Sequence, residues 1–224
     1  MTNQGQPLEA DVRPGLVDAG QVIEQESFRI IDSEALGHPF TGEEWAVVRR
    51  IIHTTGDMDF AHQVRIRHGA IAAGVAALRG GAVIVCDTRM IGVGLAPWRL
   101  EWFGNPVLIP TADPETQSLA KTLGTTRSVA AFRHVRERLE GAVIAIGNAP
   151  TALWEVVRLI AEDGVRPALV IGVPVGFVQA AESKDALWQL QHQPAVTCLG
   201  RKGGSTVAVA ALHALLELAR DRRS

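Results

Sequence analysis

The segment Ala142-Val143-Ile144-Ala145-Ile146-Gly147-Asn148-Ala149-Pro150-Thr151 joins a short, continuously apolar run to a glycine turn and a proline. A run of this length, rich in β-branched residues, is typical of a strand that is buried on both faces of a sheet. Proline is favoured at the first position of a helix, so Pro150 predicts where the next helix begins. The segment therefore predicts one strand–turn–helix unit of an α/β fold.

Three other apolar runs have the same character, and helical patterns lie between and after them. These runs span residues 82–86, 168–171 and 195–199. Helices are predicted from near Val22, from Thr41 to near Gly56, and over about residues 69–79, 114–123, 126–139, 150–162, 179–191 and 204–220. This alternation predicts an α/β domain with a mostly parallel sheet.

The chain is predicted to be a single domain preceded by a loose arm. Residues 1–20 contain glycines and prolines among polar neighbours and are predicted to form a loosely ordered N-terminal arm. Residues 21–224 are predicted to form the domain, because a composition that is 47% hydrophobic and 21% charged supplies a substantial core.

Composition also excludes several classes of partner and site. A formal net charge of -2 argues against general nucleic-acid binding, which needs many cations against phosphates. No signal-peptide pattern or membrane-spanning apolar run is present, so a cytoplasmic protein with no membrane partner is predicted. Cys86 and Cys198 both lie in strand-like runs, where reduced, buried thiols are predicted rather than a disulfide or a metal site.

A histidine is predicted at the end of the second helix. Thr41-Gly42-Glu43-Glu44 has the spacing of a capping box, and Gly56 predicts where the helix ends. His53 would then lie in the last turn, close to the negative end of the helix dipole and to Asp57 and Asp59. Both effects favour a protonated imidazole, which can donate a proton. The alternative is a histidine that only caps a helix.

Polar and basic residues follow the predicted strands, at the edge where ligands of open parallel sheets bind. These stretches are 87–90, 147–151, 172–177 and 200–205, and residues 125–128 open another helix. Free amides at helix N-termini bind anions, and four basic residues would add charge: Arg89, Arg127, Arg201 and Lys202. A ligand with several carboxylates or phosphates is therefore predicted. The alternative for each stretch taken alone is that its glycines only form a turn and its basic side chains are solvated at the surface.

Common nucleotide and nucleophile motifs are absent from the sequence. Residues 200–205 are too short for a Walker A loop, and no Gly-x-Gly-x-x-Gly follows the first predicted strand. No Gly-x-Ser-x-Gly elbow occurs, so covalent catalysis has no obvious agent. No cofactor and no metal site is predicted, and a proton donor facing a polyanion is the remaining interpretation.

Several segments together resemble the precorrin-8X methylmutase family, the precorrin isomerases of corrin-ring biosynthesis. The matching segments run in order and cover nearly the whole chain: residues 23–31, the His53 segment, and residues 124–128, 146–153, 176–184 and 200–205. The resemblance implies a flavodoxin-like, three-layer α/β/α fold with a mostly parallel sheet of about five strands. It also implies a homodimer whose active sites lie near the subunit interface.

The activity that the resemblance implies is an intramolecular isomerisation. A methyl group would move from C-11 to C-12 of a tetrapyrrole by a [1,5]-sigmatropic shift, giving hydrogenobyrinate, or cobyrinate from the cobalt form. His53 matches the catalytic histidine, which is thought to protonate the macrocycle. Arg89 is also expected to contact the substrate. The resemblance implies further substrate contacts at ten positions of the matching segments: Ser27, Thr54, Thr126, Arg127, Asn148, Thr151, Ser183, Lys184, Arg201 and Lys202.

The chain departs from the family pattern at several positions. It has no tyrosine, whereas the family often has one ahead of the first helix, and Gln179 replaces a usual glycine. Trp98 and Trp102 lie in a loop-like stretch and could pack within the chain or against a second subunit. Ser27 has the alternative of bonding to its own helix. For the whole protein, a tetrapyrrole carrier and a nucleotide-binding α/β enzyme are the alternative functions.

Overall fold

A computed structural model describes residues 14–221, with side chains from residue 19 onward. The strands within that range are Val64–Ile66 (β1), Ile84–Cys86 (β2), Val107–Leu108 (β3), Val143–Ile146 (β4), Leu169–Gly172 (β5) and Ala195–Cys198 (β6). The helices are Pro14–Glu34 (α1), Gly42–Thr55 (α2), Phe60–Gln63 (α3), Ala70–Arg79 (α4), Arg89–Gly94 (α5), Pro97–Glu101 (α6), Glu115–Thr122 (α7), Arg127–His134 (α8), Pro150–Ala161 (α9), Ala180–Gln189 (α10) and Ser205–Asp221 (α11). Two 3-10 turns span Pro110–Ala112 and Arg136–Leu139.

The strands form one sheet in the order β1-β6-β5-β4-β2-β3. All neighbours are parallel except β1, which pairs antiparallel to β6 with Val64 opposite Cys198. Numbered by themselves, the five parallel strands have the order 2-1-3-4-5, which is that of flavodoxin. The predicted flavodoxin-like fold is therefore confirmed, with six strands in the described part instead of about five.

Helices cover both faces of the sheet. Alternate residues of β4 point to opposite sides: Val143 and Ala145 join the core beneath α2, α4 and α11, whereas Ile144 and Ile146 join the core beneath α8, α9 and α10. All four of these β4 side chains are fully buried. A strand that is apolar at every position is required here because both of its faces pack against helices.

The ends of α2 agree with the predicted caps. The Thr41 N–H donates to the Glu44 carboxylate at 2.9 Å, completing the capping box. At the other end Gly56 has φ of 64° and its N–H donates to the Ile52 carbonyl at 2.8 Å. The predicted position of His53, in the last turn of a helix, is confirmed.

Two predicted helix boundaries are wrong. Helix α1 begins at Pro14 rather than near Val22, because proline is compatible with the first turn of a helix. The end of the predicted arm is therefore helical, and residues 1–13 lie outside the described residues. The helix predicted over 126–139 ends at His134 and continues as the 3-10 turn Arg136–Leu139.

His213 is a partly buried polar residue of α11. Its Nε2 accepts the Ala96 N–H at 3.2 Å. Burial, together with the guanidinium groups of Arg99 and Arg50, lowers the pKa of His213 from 6.5 to about 4. His213 therefore remains neutral in the folded protein at pH values where it would be protonated in the unfolded chain.

This pKa difference predicts a pH dependence of stability. The folded state binds fewer protons than the unfolded chain between pH 6.5 and about 4, so the stabilisation is complete above pH 6.5 and is lost as the pH falls through this window. We expect a loss of about 2 kcal/mol, a value reduced because the ring is partly exposed. Urea unfolding of His213→Gln, which can accept the same N–H, should lack that loss. An unchanged pH slope in the variant would contradict the assignment.

Candidate active site at the carboxyl edge of the sheet

Strands β2 and β4 are neighbours at the position where the strand order reverses, which is where ligands of this fold bind. A cavity of about 410 Å³ opens beside their carboxyl ends. Three of the predicted substrate contacts line this cavity, which we call the Arg127 cavity: Arg89 at the start of α5, Arg127 at the start of α8, and Asn148 after β4. The fold therefore brings together side chains that are far apart in the sequence.

Asp87 occupies the backbone amides that follow β4. Its carboxylate accepts N–H groups from Gly147 at 3.1 Å, Asn148 at 2.9 Å and Ala149 at 2.7 Å. Burial raises the pKa of Asp87, and these three hydrogen bonds oppose that shift. The prediction that these amides bind ligand anions is therefore wrong, because the chain supplies its own carboxylate. An anionic ligand in this cavity would meet the side chains of Arg89 and Arg127.

Two predicted threonines lie together at the start of α8. The Thr126 hydroxyl accepts the Val129 N–H at 3.2 Å and donates to the Thr151 hydroxyl at 3.3 Å. Thr126 therefore caps the helix that carries Arg127. Thr151 lines a second cavity of about 560 Å³, between α8 and α9, instead of the Arg127 cavity.

His53 is half-buried, and its ring meets the edge of the Phe28 ring of α1 at a centroid distance of 5.2 Å. The Ser27 hydroxyl donates to the Ile23 carbonyl at 2.9 Å, which is the structural alternative raised for this serine. The exposed Thr54 hydroxyl likewise donates to the Arg50 carbonyl at 2.9 Å. His53 does not line the Arg127 cavity. Within a single chain, the predicted proton donor is therefore separate from the predicted anion-binding site.

Arg201 and Lys202 follow β6 and have different surroundings. The exposed Arg201 guanidinium lies 5.2 Å from the centroid of the Phe177 ring, which is 84% exposed. The Lys202 ammonium donates to Asp57 and Asp59, each at 2.6 Å. These bonds raise the pKa of Lys202, and the bond from Lys202 lowers the pKa of Asp57.

The sequence analysis included Phe177 in the stretch 172–177 at the ligand edge but did not name it as a candidate site residue. It lies between β5 and α10, in a stretch whose other exposed apolar residues are Val175 and Val178. A large apolar residue beside a glycine, in the loop that follows a parallel strand, is the signal that could have identified it.

Ser183 and Lys184 are buried instead of facing a ligand. The Ser183 hydroxyl donates to the Ala180 carbonyl at 3.0 Å, and the Lys184 ammonium donates to the Lys202 carbonyl at 2.7 Å. Neither side chain is more than 1% exposed. Their predicted role as substrate contacts is therefore revised to a supporting role within the protein.

The two cysteines are free and buried, as predicted. Burial raises the pKa of the Cys86 thiol to about 12, so the thiolate is not available near neutral pH. Residues 14–221 contain no helix with the length and apolar character needed to cross a membrane.

Gln179 stands where the family usually has a glycine, and its backbone has the left-handed conformation that favours glycine. Its φ is 60°, and it is the only non-glycine residue with positive φ among those described. The position immediately precedes α10. A side chain in this conformation costs about 1–2 kcal/mol, whereas glycine has no such penalty.

Gln179→Gly is expected to stabilise the protein by about 0.5–1 kcal/mol, because relief of strain exceeds the added entropy of the unfolded chain. Urea unfolding would measure the change. Gln191→Gly is the matched control, since this exposed glutamine has no positive φ and should lose about 0.5–1 kcal/mol. Equal effects at both positions would contradict the strain at Gln179.

Comparisons with known proteins agree over most of the chain. The family model described as precorrin-8X methylmutase matches residues 22–218. A cobalt-precorrin-8 methylmutase of Leptospira interrogans is 45% identical over 214 residues, covering 92% of this chain and 97% of its own. A precorrin-8X methylmutase of Pseudomonas aeruginosa is 45% identical over 199 residues, covering 88% and 94%. The crystal structure of a precorrin-8x methyl mutase from Thermus thermophilus superposes with a TM-score of 0.85 at 49% identity, covering 91% and 98%.

Proposed function

The chain belongs to the precorrin-8X methylmutase family, and we propose on this premise that it moves a methyl group from C-11 to C-12 of precorrin-8X. The reaction is a [1,5]-sigmatropic shift within one molecule, so the enzyme is an isomerase of cobalamin biosynthesis and consumes no methyl donor. The product is hydrogenobyrinate, or cobyrinate when the substrate already contains cobalt. The metal would arrive within the macrocycle and would need no protein ligand.

The observation that carries the proposal is the meeting of Arg89, Arg127 and Asn148 in one cavity at the switch point of a flavodoxin-like sheet. The overall charge of the chain is slightly negative, so binding a polycarboxylate requires a local concentration of cations. Two guanidinium groups can each bind a carboxylate through two hydrogen bonds. The Asn148 amide can donate to a third oxygen.

We assign the proton donor to His53. Protonation of the macrocycle would favour the rearranged conjugated system, and a positioned imidazole is the commonest group for such a transfer. Because substrate and product are isomers, the macrocycle must then lose one proton, which the neutral imidazole can accept. Ser27 and Thr54 are the polar side chains next in sequence to the Phe28–His53 contact. Their hydroxyls keep acceptor capacity while they donate to their own helices.

We propose that a second copy of the chain completes the site. The Arg127 cavity of about 410 Å³ is small for a whole tetrapyrrole with its acetate and propionate groups, and it does not reach His53. Helix α1 beside His53 exposes Val22 and Ile23, at 58% and 67%. Apolar surface next to an incomplete site supports a homodimer that encloses the substrate.

We also propose a cytoplasmic location, which the sequence analysis predicted from the absence of a signal-peptide pattern.

Trp98 and Trp102 support both packing alternatives. Their rings form an edge contact at 5.0 Å within the chain, and Trp98 nevertheless remains 51% exposed. We propose that the exposed part of Trp98 contributes to contacts between subunits.

Incubation with precorrin-8X, and separately with its cobalt form, tests the function. Because the rearrangement alters conjugation, a methylmutase should change the absorption spectrum over many turnovers. A tetrapyrrole carrier would give at most one stoichiometric spectral change. A nucleotide-binding enzyme would instead be stabilised against thermal unfolding by ATP or NAD. Absence of multiple turnovers with both pigments would refute the proposed function.

A further inference from the structure

The segment between β6 and α11 is fixed from within the protein by Lys184. The Lys184 ammonium donates to the Lys202 carbonyl at 2.7 Å, and the Cys198 thiol donates to the same oxygen at 3.0 Å. Lys184 is 1% exposed, and its ammonium also lies 3.7 Å from the Cys198 sulfur. Burying an ammonium group costs free energy unless it is hydrogen-bonded. The Lys202 carbonyl supplies such a bond to Lys184 and so holds the loop against α10.

The same loop is fixed from outside by the Lys202 side chain. Its ammonium bonds to both Asp57 and Asp59 at 2.6 Å and lies 6.0 Å from the centroid of the buried Phe60 ring. The loop that follows β6 is thereby joined to the turn that follows α2. These two segments are far apart in the sequence. Their backbones already meet nearby, where β1 pairs with β6 and the Leu199 N–H donates to the Gln63 carbonyl at 2.9 Å, and the Lys202 contact extends this link to the turn itself.

The turn that contains Asp57 and Asp59 directly follows α2, the helix that carries His53. The Gly56 N–H closes α2, the Asp57 N–H donates to the Thr55 hydroxyl at 3.3 Å, and the Asp59 N–H donates to Asp57 at 3.0 Å. The last turn of a helix is the part that frays most readily unless tertiary contacts fix it. Lys202 supplies such a contact within four to six residues of His53 in the chain.

We propose that Lys184 and Lys202 together form a brace that positions the His53 end of α2 for the methyl shift, instead of binding substrate carboxylates. Lys202 is the outer part of this brace and Lys184 the inner part. Both are positioning residues. The inference rests on the proposed function, because it concerns the same reaction at the same edge of the sheet.

The local charges favour this role over direct substrate binding. A substrate carboxylate that displaced Asp57 and Asp59 from Lys202 would leave two unpaired carboxylates next to itself, and their repulsion would oppose binding. Asp87 and Asp113 also line the Arg127 cavity, but the Asp87 carboxylate is already bonded to backbone amides. Among the described residues, neither Arg89 nor Arg127 forms an ion pair like those of Lys202. A polycarboxylate should therefore bind there, and Lys202 should remain with its aspartates.

Steady-state kinetics separate a brace from a substrate ligand. Lys202→Met removes the ammonium and retains most of the side chain, so we expect kcat to fall about tenfold or more with KM changed less than about threefold. Lys202→Arg should recover most of the lost kcat, because a guanidinium can bond to both aspartates. Lys184→Met should lower kcat in the same manner. Lys121→Met is the matched control, since Lys121 is exposed on α7 and should change neither constant.

A double-mutant cycle tests the pair directly. If Lys202 acts through its two aspartates, the paired change Asp57→Asn/Asp59→Asn should lower kcat by itself, and it should lower kcat little further in Lys202→Met, because both contacts are already broken. A large rise in KM with unchanged kcat in Lys202→Met would overturn the proposal and restore Lys202 as a substrate ligand. Full additivity of the aspartate change and Lys202→Met would also overturn it.

NMR of the free protein tests the brace without substrate, so its outcome is distinct from failure of the proposed function. The ring proton resonances of His53, assigned by their loss in His53→Gln, should shift in Lys202→Met and remain in place in Lys121→Met. An unchanged His53 signal in Lys202→Met would overturn the inference, whether or not the wild-type protein converts precorrin-8X. If the wild-type protein does not turn over but the His53 signal shifts, only the proposed function fails.

Discussion

Replacing His53 by alanine is expected to lower kcat for precorrin-8X by about 10²–10³-fold, because the reaction would lose its positioned proton donor. Binding of pigment should change little, since the carboxylates are assigned to Arg89 and Arg127. Within the described part of the chain, the aromatic contact of the His53 ring is with the edge of Phe28, and the half-buried ring can be removed without opening the core, so the fold should survive its loss. Absorption spectra would follow turnover, and fluorescence quenching of the tryptophans would follow pigment binding.

His134→Ala provides a matched control. His134 lies in the last turn of α8, is exposed, and lines neither the Arg127 cavity nor the cavity between α8 and α9. It shares the helix-end position of His53 but lacks the proposed role, so its loss should leave kcat unchanged. Equal turnover by the wild-type protein and His53→Ala would refute the assignment of the proton donor. Loss of pigment binding in His53→Ala would instead make His53 a binding residue.

The parallel strands could be predicted from sequence because their burial has a simple cause. Residues 143–146 pack against helices on both faces, so each position is apolar and the run is conspicuous. Strand β1 is an edge strand in which the partly exposed Arg65 alternates with Val64 and Ile66. Strand β3 has only two residues. Such short segments do not show a period, and only pairing with neighbours identifies them.

The candidate site was only partly predictable for a different reason. Sequence analysis placed cations near one edge of the sheet, and Arg89 and Arg127 do meet in one cavity there. It could not show that Asp87 fills the amides after β4, because the two segments meet only through the pairing of β2 with β4. The same limit applies to Lys184, whose burial depends on α10 packing against β6.

Charge partners across the sequence are equally invisible to local patterns. Asp57 was assigned to the surroundings of His53 and Lys202 to the ligand, yet the two bond to each other at 2.6 Å. A lysine in a glycine-rich loop resembles an anion-binding residue whether or not a distant carboxylate pairs with it. Only the approach of the α2–α3 turn to the loop after β6 distinguishes the two cases.

Gly203→Ala is expected to destabilise the protein by about 3 kcal/mol or more, because this position combines an unusual backbone conformation with a backbone overlap. Gly203 has φ of 150°, a region that only glycine occupies readily. A Cβ atom there would lie 2.2 Å from the Val173 carbonyl oxygen and 3.1 Å from that of Pro174. The Val173 carbonyl also accepts the Gly204 N–H at 2.9 Å, so it cannot move away without losing a hydrogen bond.

Gly200→Ala separates the overlap from the conformational strain. Gly200 lies in the same loop with φ of 67°, and a Cβ atom there would have no neighbour within 4 Å. Its replacement should therefore cost only the left-handed strain of about 1–2 kcal/mol. Urea unfolding of both variants would give the difference, which measures how closely the loop passes over the end of β5. Equal losses of stability in the two variants would mean that Gly203 does not contact Val173.

Gly203 directly follows Lys202 in the loop after β6. Displacement of this loop should therefore also remove the Lys202 contact to Asp57, so Gly203→Ala should have a lower kcat as well as a lower stability.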